Sequence, residues 1–74
     1  MSLADMEDHE RRAEAAYEAM YDARRPKDDY EDAMSALADA IKAAEAARSS
    51  ADVKRLKQRR DHIREVYKRQ FRGF

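Results

Sequence analysis

The sequence predicts an all-α fold, an antiparallel up-down-up three-helix bundle with helices at residues 3–24, 28–47 and 51–71. Three observations predict it. Apolar residues recur three or four positions apart, without the alternation of a strand. Alanine, the best helix former, is the commonest residue. Two short polar breaks divide the chain into three segments of similar length, and short connections favour antiparallel neighbours.

The length and composition limit what such a chain can be. With 74 residues, we expect residues 1–74 to form a single small helical domain with a small core, which makes self-association attractive. The absence of cysteine excludes disulfides and thiolate chemistry. No apolar run approaches the roughly 20 residues that cross a membrane. We therefore expect a soluble cytoplasmic protein without a membrane partner.

The first predicted helix has two smooth faces. Its main apolar stripe consists of Leu3, Met6, Ala13, Ala16, Tyr17, Met20 and Tyr21. A second strip of small residues, which could seat another helix, consists of Ala4, Ala15, Ala19 and Ala23. Pro26 then interrupts the helical pattern, because it lacks an amide hydrogen and disfavours the α conformation at the residue before it.

The second predicted helix is the clearest in the chain. Asp28 is expected as its N-cap, with Glu31 three residues later completing a capping box. Its apolar stripe is narrow and rich in alanine, so the helix should lie close to its neighbours. The stripe consists of Tyr30, Ala33, Met34, Leu37, Ile41 and Ala44.

The third predicted helix follows the break at Arg48. Ser49 paired with Asp52, or Ser50 alone, is expected to cap it. Its apolar stripe consists of Val53, Leu56, Ile63, Tyr67 and Phe71, with Val66 beside it. Arg60 interrupts this stripe, and its aliphatic stem is expected to lie along apolar surface while the guanidinium reaches water.

The second helix resembles the second helix of a tetratricopeptide (TPR) repeat. Tyr30, Ala33, Leu37 and Ala40 occupy the corresponding aromatic and small positions, while Tyr17 and Met20 stand where the first TPR helix has an aromatic residue and a leucine. Tyr21 and Arg24 depart from the pattern. One hairpin followed by a long third helix is also similar to the microtubule-interacting-and-trafficking (MIT) domain. That resemblance implies a peptide-docking module with grooves beside the third helix.

The charges divide the chain into an acidic and a basic part. Residues 1–47 carry thirteen acidic and six basic side chains, a balance of −7, and residues 48–74 carry three acidic and ten basic, a balance of +7. The basic run consists of Lys54, Arg55, Lys57, Arg59, Arg60, Arg64, Lys68, Arg69 and Arg72. A basic helix of this kind can bind phosphates. Alternatively, it faces the acidic helices or a protein partner, where charge selects pairing and register.

Five residues are candidates for partner binding. Tyr17 and Tyr30 are expected to fill the edge of the core with their hydroxyls in water. Tyr21 lies slightly off the stripe and is the better interface candidate, because tyrosine is enriched at interfaces. Together with residues of the basic helix, the candidates are Tyr21, Arg55, Arg59, Arg60 and Tyr67.

The sequence shows no pattern typical of an enzyme. His9 and His62 lack the Glu-x-x-His spacing of di-iron bundles, and one glycine cannot build a phosphate-binding loop. We expect no catalytic residue, no metal and no cofactor, with a metal site shared between copies as a remaining alternative. The expected function is a helical protein–protein interaction module that self-associates or docks a partner helix. The alternative is nucleic-acid binding through the basic third helix.

Overall fold

The computed structural model describes residues 3–71, which form three α-helices followed by one π-helical turn. The helices are α1 (Leu3–Met20), α2 (Pro26–Ala46) and α3 (Ser50–Val66), and the π turn is Tyr67–Phe71. Within residues 3–71 there is no strand, so the predicted all-α three-helix fold is confirmed. The side chain of Leu3 and the whole of Arg72 lie outside the described residues.

Contacts between the helices give the up-down-up topology. Two ion pairs join α1 to α3 in the same order along both helices, which therefore run parallel. The pairs are Glu10 with Arg55 and Glu14 with Arg59. α2 runs antiparallel to both, because Tyr30 near its start stacks on Tyr67 just after the end of α3.

The connection between α1 and α2 is longer than predicted. α1 ends at Met20 rather than residue 24, because the amides of Tyr21 and Asp22 each bond the carbonyl three residues back at 3.2 Å and tighten the chain into a turn. α2 then begins at Pro26. The first helical position suits proline, because its missing N–H would have no helical partner there.

The predicted Asp28 cap is wrong. Arg25 holds the N-cap position of α2 and makes no side-chain capping bond. Asp28 instead lies in the first turn, where its amide donates to the Arg25 carbonyl at 3.0 Å. Its carboxylate and that of Asp29 lie where the helix dipole favours negative charge.

The turn between α2 and α3 contains one residue with a left-handed backbone. Arg48 has φ of 56°, and the amide of Ser49 donates to the Ala44 carbonyl at 2.9 Å to close the end of α2. Such a position is usually glycine, because the left-handed conformation costs other residues roughly 1–2 kcal/mol. Ser49 is the N-cap of α3 as predicted, but its hydroxyl donates to Asp52 Oδ2 at 2.6 Å rather than accepting from an amide.

α2 buries a wider face than the predicted stripe. α1 and α2 pack more closely than any other pair of helices, because alanine at the contact lets the two axes approach. The alanines of α2 that are at most 2% exposed are Ala33, Ala36, Ala40, Ala43 and Ala44. Three of these, Ala36, Ala40 and Ala43, were absent from the stripe predicted from the sequence.

The contact with α3 uses larger side chains. Leu37 of α2 and both Leu56 and Ile63 of α3 are fully buried. Met34 and Val53 pack at the edge of this cluster. α3 is thus held by a few bulky residues rather than by close contact along its length.

We expect Ala40→Leu to lower the free energy of unfolding by about 1–3 kcal/mol, because added methylenes overpack a filled interior. Ala40 is fully buried, whereas Ala38, two residues earlier on the same helix, is exposed. Ala38→Leu is the matched control, with an expected change within about 0.5 kcal/mol. Urea unfolding followed by circular dichroism measures both, and equal losses would contradict the close packing of α1 and α2.

Candidate functional site

Arg59 connects α3 to two side chains of α1. Its Nε and Nη2 donate to the two carboxylate oxygens of Glu14 at 2.9 and 2.6 Å, a bidentate arrangement. Its guanidinium carbon also lies 5.1 Å from the centre of the Tyr17 ring. Hydrogen bonding to Glu14 is the main cause that raises the pKa of Arg59 above its ordinary value. Arg59 therefore fixes the separation of α1 and α3.

Arg55 makes the same kind of contact one turn earlier. It pairs with Glu10 through two bonds, of which Nη2 to Oε1 measures 3.1 Å, and with Asp52 at 3.3 Å. Bonding to Glu10 raises the pKa of Arg55. The Ser49 hydroxyl first, and Arg55 second, lower the pKa of Asp52. The two arginines and their glutamates form what we call the α1–α3 ladder.

Arg60 lies apart from the ladder. Its Nε donates to Asp61 Oδ1 at 3.1 Å, and the same oxygen lies 3.9 Å from Arg64 Nη1. All three arginines that were predicted as partner-binding residues are thus engaged with carboxylates of this chain. Their direct use in partner binding stays a prediction.

The other two predicted residues belong to a cluster of rings at one end of the bundle. The rings touch in sequence, from Tyr17 through Tyr21, Phe71 and Tyr67 to Tyr30. Tyr21 meets Phe71 edge-on at 5.2 Å, and Tyr67 stacks on Tyr30 at 4.0 Å. This aromatic end joins α1, α2 and the π turn. Offset and edge-to-face ring pairs stabilise beyond their buried area.

The π turn determines where Phe71 lies. A π turn holds more residues than an α turn, so side chains after it fall behind the α-helical register. Tyr67 contacts Tyr30 of α2, and Phe71, four residues later, contacts Tyr21 in the turn after α1. A continued α-helix would carry the side chain of Phe71 further round the helix axis. The sequence predicted an uninterrupted helix to residue 71 and did not predict this turn.

Tyr21 is the exposed member of the aromatic end. The residue is 52% exposed, and no other large hydrophobic side chain within residues 4–71 is classed as exposed. Its hydroxyl lies 3.1 Å from that of Tyr17, and this hydrogen bond is the main cause that raises the pKa of Tyr17. Tyr21 is therefore held in place although half of it faces solvent.

A shallow acidic groove runs along α1 toward Tyr21. We call it the α1 groove, and it is lined by Glu7, Glu10, Arg11, Glu14, Ala15 and Glu18. Tyr21 lies three residues beyond Glu18, in the turn that follows α1, and is not part of the lining. Glu7 and Glu18 form no ion pair with any residue of the described range. Sequence reasoning missed this groove, although the spacing of its glutamates was visible.

α3 keeps some basic side chains free of carboxylates. Lys54, Lys57 and Lys68 are exposed and form no ion pair with other residues in 3–71. They lie on α3 and the π turn that follows it, beside Arg64. The basic character of the third helix is therefore partly internal and partly open to solvent.

The described residues hold no cluster of three or more histidine, aspartate or glutamate side chains placed to bind a metal. His9 lies 3.5 Å from Arg12 through Nδ1, and His62 is exposed on α3. Within residues 3–71, no helix combines the length and the apolar character that a membrane span requires.

Comparison of the chain with protein-family models, with curated proteins and with solved structures gives no match. The resemblance to a TPR hairpin and to the MIT domain therefore stays a prediction from the sequence.

The ladder predicts an energetic coupling between the side chains of Glu14 and Arg59 in the unfolding of the protein. A double-mutant cycle with Glu14→Gln and Arg59→Gln should give a coupling energy of about 0.5–1 kcal/mol, which falls as salt rises. The control is the pair of Glu65 and Arg69, which is 4.0 Å apart with both side chains largely exposed. Its coupling energy should be near zero. Urea unfolding of the variants measures both, and equal coupling would show that the bidentate geometry adds nothing.

Proposed function

We propose that this protein is a small helical interaction module that docks a basic amphipathic helix, from a partner protein or from another copy of itself. Docking would occur along the α1 groove, with charge setting the orientation of the partner. The proposal includes a cytoplasmic location and no catalytic activity. It shares with the resemblance to the MIT domain the binding of a helical peptide, but that resemblance implies grooves beside the third helix, whereas the proposed site is on α1.

The observation that carries the proposal is an acidic groove on α1 with an exposed tyrosine three residues beyond Glu18, the last residue of its lining. Tyr21 is half exposed, yet its ring rests on Phe71 and its hydroxyl meets Tyr17. A rigid aromatic side chain contributes contact area at a low cost in entropy, and tyrosine is common among the residues that dominate binding energy. Ala15 offers a smooth floor between the acidic side chains.

The ladder supports this proposal by holding one side of the groove in place. Glu10 and Glu14 line the groove and are bound by Arg55 and Arg59. Their side chains are thus ordered before a partner arrives, and with their charge paired inside the chain they contribute to the shape of the groove rather than to its charge. Glu7 and Glu18 are left to pair with lysine or arginine of the partner helix.

The test uses a synthetic amphipathic helix with leucines along one face and lysines along the other. We expect it to shift the amide resonances of α1 in the isotope-labelled full chain, concentrated at Ala15, Glu18 and Tyr21. Tyr21→Ser should weaken its binding by about tenfold or more, because truncating an aromatic anchor costs more than 1 kcal/mol. Tyr21→Phe, which keeps the ring, is the matched control and should bind like the unchanged chain.

The proposal fails if the peptide shifts no resonance of α1, or if Tyr21→Ser and Tyr21→Phe bind equally. An added measurement separates specific docking from attraction between opposite charges. A peptide with the same composition but scrambled leucine spacing should bind more weakly, since it cannot present one apolar face to Ala15 and Tyr21.

The second candidate function is nucleic-acid binding by α3. The observation that favours it is the set of lysines without carboxylate partners, Lys54, Lys57 and Lys68. Against it, α1 and α2 carry an excess of acidic side chains that repel phosphate.

This candidate predicts a gel shift whose affinity falls steeply as salt rises, because each phosphate contact releases counterions. Lys57→Gln combined with Lys68→Gln should reduce both the affinity and the slope against salt. The absence of any shift with single- or double-stranded oligonucleotides at about 50 mM salt would remove the candidate.

A further inference from the structure

The turn between α2 and α3 is strained in a way that a straight helix would relieve. Arg48 adopts φ of 56°, a conformation that favours glycine. The turn is short, with α2 ending at Ala46 and α3 beginning at Ser50. Short hinges under strain favour the exchange of the following element between copies of a chain. In an α-helical conformation Arg48 would carry no such strain.

Nothing in the sequence prevents α2 and α3 from forming one helix. The only proline is Pro26, which begins α2, and the only glycine is Gly73, which lies beyond α3. The residues of the turn are alanine, arginine and serine, all of which a helix interior accepts. The carbonyls that now accept the amides of Arg48 and Ser49 would find partners in the continued helix instead.

The contacts that hold α3 can form equally well between two chains. They are the ladder, the Arg59 contact with the Tyr17 ring and the burial of Leu56 and Ile63. The α1–α2 pair is packed more closely than α2 with α3, so the hairpin forms a platform on which α3 docks. An identical α3 from a second copy meets the same glutamates in the same register.

We propose that two copies of this protein exchange α3. The residues Ala47, Arg48 and Ser49 straighten, α2 and α3 become one continuous helix, and each α3 docks on the α1–α2 hairpin of the partner. The dimer is symmetric, and each half reproduces the ladder and the aromatic end with side chains from both chains. The contacts of α3 with the α1–α2 hairpin are kept, whereas the strained turn and the two amide bonds that close it are replaced by helical ones.

This inference names a second copy as the partner for the self-association that the proposed function allows. It shares Glu10 and Glu14 with the α1 groove, but an exchanged dimer rebuilds that groove with an α3 from the partner, so the two can fail independently. A chain that docks the synthetic helix without exchanging α3 keeps the proposed function. A chain that exchanges α3 without binding the synthetic helix keeps only this inference.

The first part of the test compares two substitutions at one position of the full chain. Ser50 is the first residue of α3, where proline fits the turn but would interrupt a continuous helix. Ser50→Pro should be monomeric up to about 1 mM, whereas Ser50→Ala should dimerise at least as well as the unchanged chain. Arg48→Gly should raise the dimer dissociation constant by at least about tenfold, because it relieves the strain in both turns. Sedimentation measures all four chains.

The second part of the test identifies exchange directly through the ladder. One variant carries Glu10→Arg and Glu14→Arg, and the other carries Arg55→Glu and Arg59→Glu. Each variant alone places like charges across α1 and α3, in a monomer or in an exchanged homodimer. Only an exchanged heterodimer restores both ladders. We expect native mass spectrometry of the mixture to show heterodimer well above the statistical share.

The shape of the dimer gives a third measurement. The closed bundle is 38 Å in its longest extent. A continuous helix over residues 26–71 would be about 70 Å long at the usual rise per residue. Small-angle scattering of the dimer should therefore show a maximum dimension near that length.

The proposal is overturned if the unchanged chain stays monomeric at about 1 mM. It is also overturned if Ser50→Pro dimerises as well as Ser50→Ala, or if the two charge-reversed variants show no preference for each other. A dimer that survives Ser50→Pro indicates association through an outer surface.

Discussion

The close packing of α1 against α2 through alanine is the constraint on which the rest of the structure depends. Alanine brings two helices together but buries little apolar area per residue. The alanine contacts therefore set the distance between the helices more than they add hydrophobic free energy. Bulky side chains from all three helices complete the core, and the largest fully buried ones are Met20 of α1, Leu37 of α2, and Leu56 and Ile63 of α3. Docking of α3 therefore adds its two fully buried side chains to a core that α1 and α2 already share.

Charge determines the register in which α3 docks more than it determines the free energy of docking. Exposed ion pairs contribute little net stability, but a like-charge arrangement in another register would be unfavourable. The −7 and +7 halves of the sequence meet in the ladder, where glutamates four residues apart on α1 face arginines four residues apart on α3. The ladder accounts for only two of the basic residues of α3. The remaining lysines and the free glutamates of α1 are on the surface, where they can contact other molecules.

The sequence predicted the fold because helical periodicity depends on residues close together in the chain. It missed features that depend on contacts between elements. Proline at the first position of α2 displaced the expected Asp28 cap. Ala36 and Ala40 are buried because α2 has neighbours on two sides, which the pattern of one helix cannot reveal. The π turn has no local signal in the sequence, although it places Phe71 against Tyr21. In the candidate site, the sequence singled out Tyr21 as an interface candidate. For Arg55 and Arg59 it left two alternatives open, binding to phosphates or contact with the acidic helices or a protein partner.

The contacts that hold α3 differ in kind along its length, and this difference affects how α3 can separate from the bundle. At one end a turn with a left-handed arginine connects it to α2. In the middle, ion pairs that salt weakens hold it to α1. At the far end, rings from all three helical segments hold it by contacts that salt does not screen. An element held in this graded manner separates first at the strained turn and the ion pairs and last at the aromatic end. Exchange of α3 therefore requires the aromatic end to open as well, because Tyr67 and Phe71 must leave Tyr30 and Tyr21 of their own chain before they can meet those of the partner.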